Sequence, residues 1–174
     1  MSCEQKMSTP PVVSLQNPNI TIQEYINKLI YDSSIQIQNY TNVYALMPTD
    51  NSTAIASGAS IAFPRQGPVS GTGFVQVSPT QLTLPHIGTY EVTVNAVINV
   101  PAQLIATLNG APVASTVTGK DISGSNLQGS FLITTLLPNS ILTIQNASAG
   151  AITLVAAAGG TNPVSAQLIV KLLK

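Results

Sequence analysis

The stretch Thr89-Tyr90-Glu91-Val92-Thr93-Val94-Asn95-Ala96-Val97-Ile98 alternates strictly. Tyr90, Val92, Val94, Ala96 and Ile98 form one set; Thr89, Glu91, Thr93, Asn95 and Val97 form the other. A period of two puts the first set on a buried face and the second toward solvent, which is the pattern of a half-buried β-strand. The same reading extends outward from about Asn42. Short β-rich runs are expected at Val43–Met47, Ala59–Phe63, Gly73–Val77, Gln81–Leu84, Thr89–Val100, Gln103–Leu108, Val113–Thr118, Leu127–Leu136, Ile141–Gln145, Ile152–Ala157 and Ser165–Leu172. Turn clusters separate them: Pro64–Pro68, Pro79, Asn109-Gly110, Gly119–Gly124, Pro138-Asn139, Gly150 and Gly159–Pro163. Many short strands at close spacing mean a sandwich or a closed barrel. Asn109-Gly110 between Leu108 and Val113 is a hairpin signal, because both residues tolerate positive φ.

Charge is scarce. Asp, Glu, Lys and Arg make up 7% of the 174 residues, against about 25% in an ordinary domain. Between Asn51 and Val170 only Arg65, Glu91, Lys120 and Asp121 carry a formal charge. The net charge is zero, so nucleic acid is not an expected partner: displacing counterions from phosphates requires clustered Lys and Arg. A neutral surface also lacks the self-repulsion that keeps subunits apart. The last strand is apolar on both faces, with Ala166, Leu168, Val170 and Leu172 on one and Ile169 and Leu173 on the other; Leu132 and Leu136 fall opposite Phe131 and Ile133. A two-sheet sandwich buries one face of each strand. Doubly apolar strands with few charges therefore point to a homo-oligomer.

Residues 1–20 are polar and carry Pro10, Pro11 and Pro18, the pattern of a flexible or extended arm. Residues 21–40 hold an amphipathic helix and a connector, and residues 41–174 the β domain. Thr21 and Glu24 match a capping box, and Ile22, Tyr25, Ile26, Leu29 and Ile30 draw one apolar stripe. So short a helix is marginal alone. Its stripe needs the β domain, two other copies of itself, or a different protein; the last would make it an attachment helix. Cys3, the single cysteine, excludes an internal disulfide framework. It is either an unused thiol or a crosslink to a neighbouring subunit or surface.

Chemistry is sparse as well. One histidine (His86), one cysteine and six carboxylates spread along the chain do not suggest a metal site, and no nucleophile-elbow pattern is present. Gly71-Thr72-Gly73 and Gly124–Gly129 read as turns rather than phosphate loops. Lys120-Asp121 reads as an exposed pair. The sequons at Asn19, Asn39, Asn51 and Asn146 are what a Thr/Ser/Asn-rich chain produces by chance. No catalytic, cofactor or metal site is expected. No signal peptide and no apolar run of bilayer length is visible, so the expectation is synthesis and assembly in a cytoplasm, without membrane insertion.

Four blocks, in order, carry a resemblance: Arg65-Gln66-Gly67-Pro68-Val69-Ser70-Gly71-Thr72-Gly73, Leu84-Pro85-His86-Ile87-Gly88-Thr89-Tyr90-Glu91-Val92, Leu108-Asn109-Gly110 and Gly159-Gly160-Thr161-Asn162-Pro163-Val164-Ser165-Ala166-Gln167-Leu168. Together, over residues 65–173, they resemble the C-terminal head of the collagen-like exosporium glycoproteins of spore-forming bacilli. That head belongs to the tumour-necrosis-factor-like jelly rolls, and Gly88-Thr89-Tyr90-Glu91-Val92 is similar to the Gly-x-Tyr strand opening of the wider group. The resemblance implies an all-β two-sheet jelly roll of about ten strands, a homotrimer, and display on a spore surface. It also places Tyr90 near the trimer axis. The expected trimer contacts are Tyr90, Phe131, Leu168, Val170 and Leu172. The family's Gly-x-y stalk is missing here, so residues 1–40 stand where the stalk would be, and attachment to other proteins of the same layer falls to them. The expected function is a non-enzymatic structural head on a spore exosporium or surface filament. The alternatives are a virion fibre head or capsid decoration, or a carbohydrate- or receptor-binding module.

Overall fold

The computed structural model describes residues 21–24, 39–122, 125–155 and 163–173. Two units divide the chain, Met1–Gln36 and Ile37–Lys174. In the first, the capping box is formed. The Glu24 carboxylate accepts from the Thr21 backbone N–H (2.7 Å) and hydroxyl (2.9 Å), and the Glu24 N–H donates back to that hydroxyl at 3.2 Å. Those bonds hold the Glu24 carboxyl below its ordinary pKa, the backbone bond most. Ile22–Glu24 are helical and Ile22 is exposed. The remaining stripe residues, Tyr25, Ile26, Leu29 and Ile30, and Cys3 in the arm, lie outside the described residues.

The second unit contains eleven strands: β1 Tyr40–Leu46, β2 Arg65–Ser70, β3 Gln76–Ser78, β4 Gln81–Leu84, β5 Gly88–Ile98, β6 Ala102–Leu108, β7 Ala111–Pro112, β8 Thr118–Lys120, β9 Ser125–Thr135, β10 Ser140–Asn146 and β11 Val164–Leu172. They form two antiparallel sheets. One has the order β2-β1-β11-β5-β9; the other runs β3-β4-β10-β6-β7, with β8 also paired to β6. The alternating stretch Thr89–Ile98 lies in β5, and its faces are as expected. Tyr90, Val92, Val94, Ala96 and Ile98 are fully buried, and the other set is half-exposed. These five meet Leu82, Leu84, Leu104, Leu142 and Ile144 of the opposite sheet in one core. Each large aliphatic side chain so buried contributes about 1.5–3 kcal/mol.

Turn chemistry sets the corners. Asn109 and Gly110 both have positive φ, at 52° and 83°, and the Asn109 side chain accepts from Ile141 N–H (2.8 Å) and donates to Ser140 Oγ. Gly73 has φ of 91°, and a Cβ there would lie 2.6 Å from Pro85. Among the described residues, no helix is long and apolar enough to cross a membrane.

Five segments depart from the expectation. Pro64–Pro68 is not a turn: from Arg65 it is strand β2, at the sheet edge, and Pro68 falls in the register irregularity opposite Asn42, where a strand tolerates proline. Ala59–Phe63 and Ile152–Ala157 contribute only isolated bridges among the described residues, Ser60 to Gln145, Ile152 to Ile55 and Leu154 to Ile98. Their apolar residues still enter the core, so burial without a continuous ladder partner produced the strand-like pattern. Val113–Thr118 breaks into a 3-10 turn at Ala114–Thr116 and then β8. Here Thr116 Oγ1 takes the Ala106 N–H that a strand would have bonded (2.9 Å). Nor is Gly129 in a turn: it sits within β9, where a Cβ would strike Thr118 at 2.8 Å.

Candidate functional site

The outer face of the five-stranded sheet is built from three cross-strand rows. Tyr40, Lys171, Glu91 and Leu132 form the first; Asn42, Ile169, Thr93 and Ser130 the second; Tyr44, Gln167, Asn95 and Gln128 the third. The period-two rule places them together, since each is the outward neighbour of a core residue. One ion pair lies among them, Lys171 Nζ to Glu91 Oε2 at 3.0 Å, with both side chains about one-third exposed. Hydroxyls pair across the outer strands: Thr93 with Ser130 and Thr89 with Thr134, each at 3.1 Å. The side-chain amide oxygens of Asn42 and Asn95 are closed off without a hydrogen-bond partner among the described residues. Gly67 makes room for the first of them, because a Cβ there would meet Asn42 Nδ2 at 2.8 Å. At the corner of the same sheet Arg65 Nε reaches Asp50 Oδ2 at 2.6 Å. Asp50 also accepts the Leu46 N–H, and the Arg65 hydrogen bond is the largest of the effects that hold its carboxyl below the ordinary value.

One end of this sheet is apolar and open. Ile87 is 60% exposed, Leu132 58%, Leu136 81% and Leu137 64%. Gly88 pairs with Thr135, so Ile87 and Leu136 follow each other across the last rung. The Tyr90 hydroxyl fixes this corner. It donates to the His86 carbonyl (2.8 Å) and accepts the His86 N–H (2.9 Å). Thr135 Oγ1 donates to the same carbonyl and accepts from Gly88 N–H. His86 itself is exposed, held through its backbone.

Of the five expected contact residues, three lie inside the subunit. Tyr90, Leu168 and Val170 are wholly buried between the sheets, so their apolar surface is spent within the subunit. Phe131 and Leu172 are half-buried and pack against that same core. Ala166, Leu168 and Val170 face the opposite sheet, so the core accounts for their apolar character. Their outward neighbours, Gln167, Ile169 and Lys171, are the ones a partner can reach. Tyr40, Tyr44 and Gln167 went unnoticed, although alternation alone places them. Lys120-Asp121 is not a simple exposed pair: Lys120 is half-buried and donates to the Ile98 carbonyl, and desolvation lowers its pKa. Asn146 is fully buried, its amide held by Ile55 O, Gly150 O and Ser148 N, which closes that sequon to a glycan in the folded state. Among the described residues, no three of His, Cys, Asp and Glu gather as metal ligands would.

Solved structures share this architecture. The globular domain of zebrafish complement 1qA is similar with a TM-score of 0.57 and 15% identity, covering 79% of this chain and 98% of its own. Murine APRIL, crystallised at pH 8.5, is similar with a TM-score of 0.54 and 12% identity, over 76% of this chain and 99% of its own. Vertex protein P5 of PRD1 is similar with a TM-score of 0.50 and 14% identity, over 80% of this chain and all of its own. The fold is a tumour-necrosis-factor-like jelly roll. No protein-family model matches the chain, and no curated protein matches it in sequence. The two-sheet jelly-roll fold expected from the sequence is thus shown.

Proposed function

We propose that this chain is a non-enzymatic structural head that assembles as a homotrimer through the outer face of the five-stranded sheet. The observation that carries the reading is the composition of that face. It offers Tyr40, Tyr44, Ile169 and Leu132, paired hydroxyls, neutral amides and a single ion pair. Tyrosine-rich, charge-poor surface is what buried subunit contacts use. Zero net charge removes long-range repulsion between copies. The number three comes from the exosporium resemblance. An obligate contact of this kind buries about 2,000–5,000 Å² in total.

The same resemblance supports display on a spore exosporium or surface filament, with the N-terminal segment attaching the head to other proteins of the layer and Cys3 available for a crosslink. Similarity to a viral vertex protein supports the second reading, a virion fibre head or capsid decoration. Gel filtration with light scattering tests assembly: a trimer mass is expected, and a clean monomer at micromolar concentration overturns the proposal. Immunogold labelling of intact spores and of virions separates the two settings.

A further inference from the structure

We propose that a groove on the outer face of the six-stranded sheet binds a neutral saccharide. The groove has a volume of about 430 Å³ and is lined by Gln81 on β4, Thr107 on β6, Asn109 at the hairpin, and Ile141, Thr143 and Gln145 on β10. Sites for small ligands run to about 300–1,000 Å³, so one or two sugar rings fit.

Its floor is the Thr143 side chain, 8% exposed, backed by the wholly buried Thr107. Thr107 and Thr143 stand opposite each other in the ladder, with their Oγ1 atoms 2.7 Å apart and both side chains buried. Two hydroxyls share one hydrogen bond, so one of the two protons is left over. It has no acceptor among the described residues. Above them, the side-chain amides of Gln81 and Gln145 hydrogen-bond to no described residue. An amide carries both donors and acceptors, which is what adjacent sugar hydroxyls require. Ile141 is half-buried and supplies an aliphatic patch for a ring's C–H face. The rim is set in advance: both ends of the Asn109 amide are taken, by Ile141 N–H and Ser140 Oγ.

Charge decides the ligand class. Among the described residues, no ionisable side chain lines the groove. An anionic or cationic ligand would lose hydration there and find no counter-charge. A neutral, hydroxyl-rich ligand exchanges water bonds for bonds to Thr, Gln and backbone at little loss. A second cavity of about 420 Å³ differs in this respect. It holds Lys120 and Asp121, and its Ser148 hydroxyl already takes the Gln103 N–H. The groove lies on the sheet opposite the proposed subunit contact, so the two readings stand or fall separately.

The experiment titrates glucose, galactose, N-acetylglucosamine and rhamnose, each at millimolar concentration, into the isotope-labelled full chain and follows backbone amide shifts. At least one sugar is expected to shift Gln81, Thr107, Thr143 and Gln145 saturably. A charged counterpart, glucose 6-phosphate or N-acetylneuraminic acid, should bind more weakly. The double variant Gln81→Ala with Gln145→Ala should weaken binding about tenfold, which is about 1.4 kcal/mol, while its thermal midpoint stays unchanged. Gln103→Ala in the second cavity should leave binding intact. Silence with all four sugars overturns the proposal. So do saturable shifts confined to another surface, binding the double variant does not weaken, or equal weakening by Gln103→Ala.

Discussion

The two sheets share one core but present different outer faces. The five-stranded sheet has two eleven-residue strands, β5 and β9, and a nine-residue β11. Its outer rows are regular and broad, and the side-chain amide oxygens of Asn42 and Asn95 are shut in. The six-stranded sheet is pieced from shorter strands, two of them three residues or fewer beside β6. Its outer surface is interrupted by a hairpin and a groove. Long matched strands give the flat, continuous surface that another protein can cover. Short ones leave steps, and steps make pockets. One chain thus divides surface roles by strand length while spending its aliphatic residues on a shared interior.

The sharpest way to break this contrast is to place a charge on either side of one strand. Leu168 points into the core and Gln167 away from it. Leu168→Asp should leave no folded protein, because an unpaired carboxylate in that interior costs several kcal/mol or more. Even Leu168→Ala should lose about 2–5 kcal/mol. Ile169→Asp, one residue on, should keep the circular-dichroism spectrum and thermal unfolding of a β sandwich but run as a monomer in light scattering. A folded trimer from Ile169→Asp would remove the outer face from the proposed contact.

Tyr90 comes next, because it joins core to corner. Tyr90→Phe keeps the ring against Phe74, whose centroid is 6.2 Å away in an edge-on arrangement. It removes the bonds to both backbone groups of His86. Loss of about 1–3 kcal/mol is expected in urea unfolding, with the largest gain in amide exchange near Ile87. Burial raises the Tyr90 hydroxyl above its usual value of 10.0, more than the His86 bond lowers it. The folded state therefore keeps this proton longer than the unfolded chain. Its stabilising share is complete below pH 10 and is lost as pH rises through the folded value. Tyr90→Phe should flatten that alkaline decline.

These corners also mark how much was legible in advance. The alternation at 89–98 gave the strand, its buried face and the sandwich class, and Asn109-Gly110 gave the hairpin, because each rests on local geometry. Thr21 and Glu24 gave the capping box for the same reason. The edge strand Arg65–Ser70 was hidden by Pro64, Gly67 and Pro68, whose effect depends on which side of the strand is paired. The contact surface is not legible in the sequence for a related reason. Apolar residues on β11 are equally suited to a core and to an interface, and only the opposite sheet decides which. The groove had no local signal, since its residues come from β4, β6 and β10 and meet only in the folded sheet.

A smaller test bears on the six-stranded side. Thr107→Val alone strands the Thr143 hydroxyl at a nearly dry position, with an expected loss of about 1 kcal/mol. The double variant Thr107→Val with Thr143→Val replaces both partners by near-isosteric apolar groups and should recover most of it. Urea midpoints for the two variants check this. A double variant weaker than the single one would mean that both hydroxyls bond to something besides each other.

The smallest effect belongs to Asp50, at the corner of the five-stranded sheet. Its carboxylate accepts from Arg65 and from the Leu46 N–H. The Arg65 side chain is well exposed, so the pair contributes little. Its sign is nonetheless fixed. The Asp50 carboxyl is held below its ordinary value of 3.8, so the folded state binds its proton less readily than the unfolded chain. The stabilising share is present above that ordinary value and fades as pH falls through the folded one. Asp50→Asn should therefore narrow the difference in thermal midpoint between neutral and acid solution by a degree or so, leaving assembly untouched. If it instead dissociates the trimer, this corner belongs to the subunit contact and the contact extends past Tyr44 to the edge of the sheet.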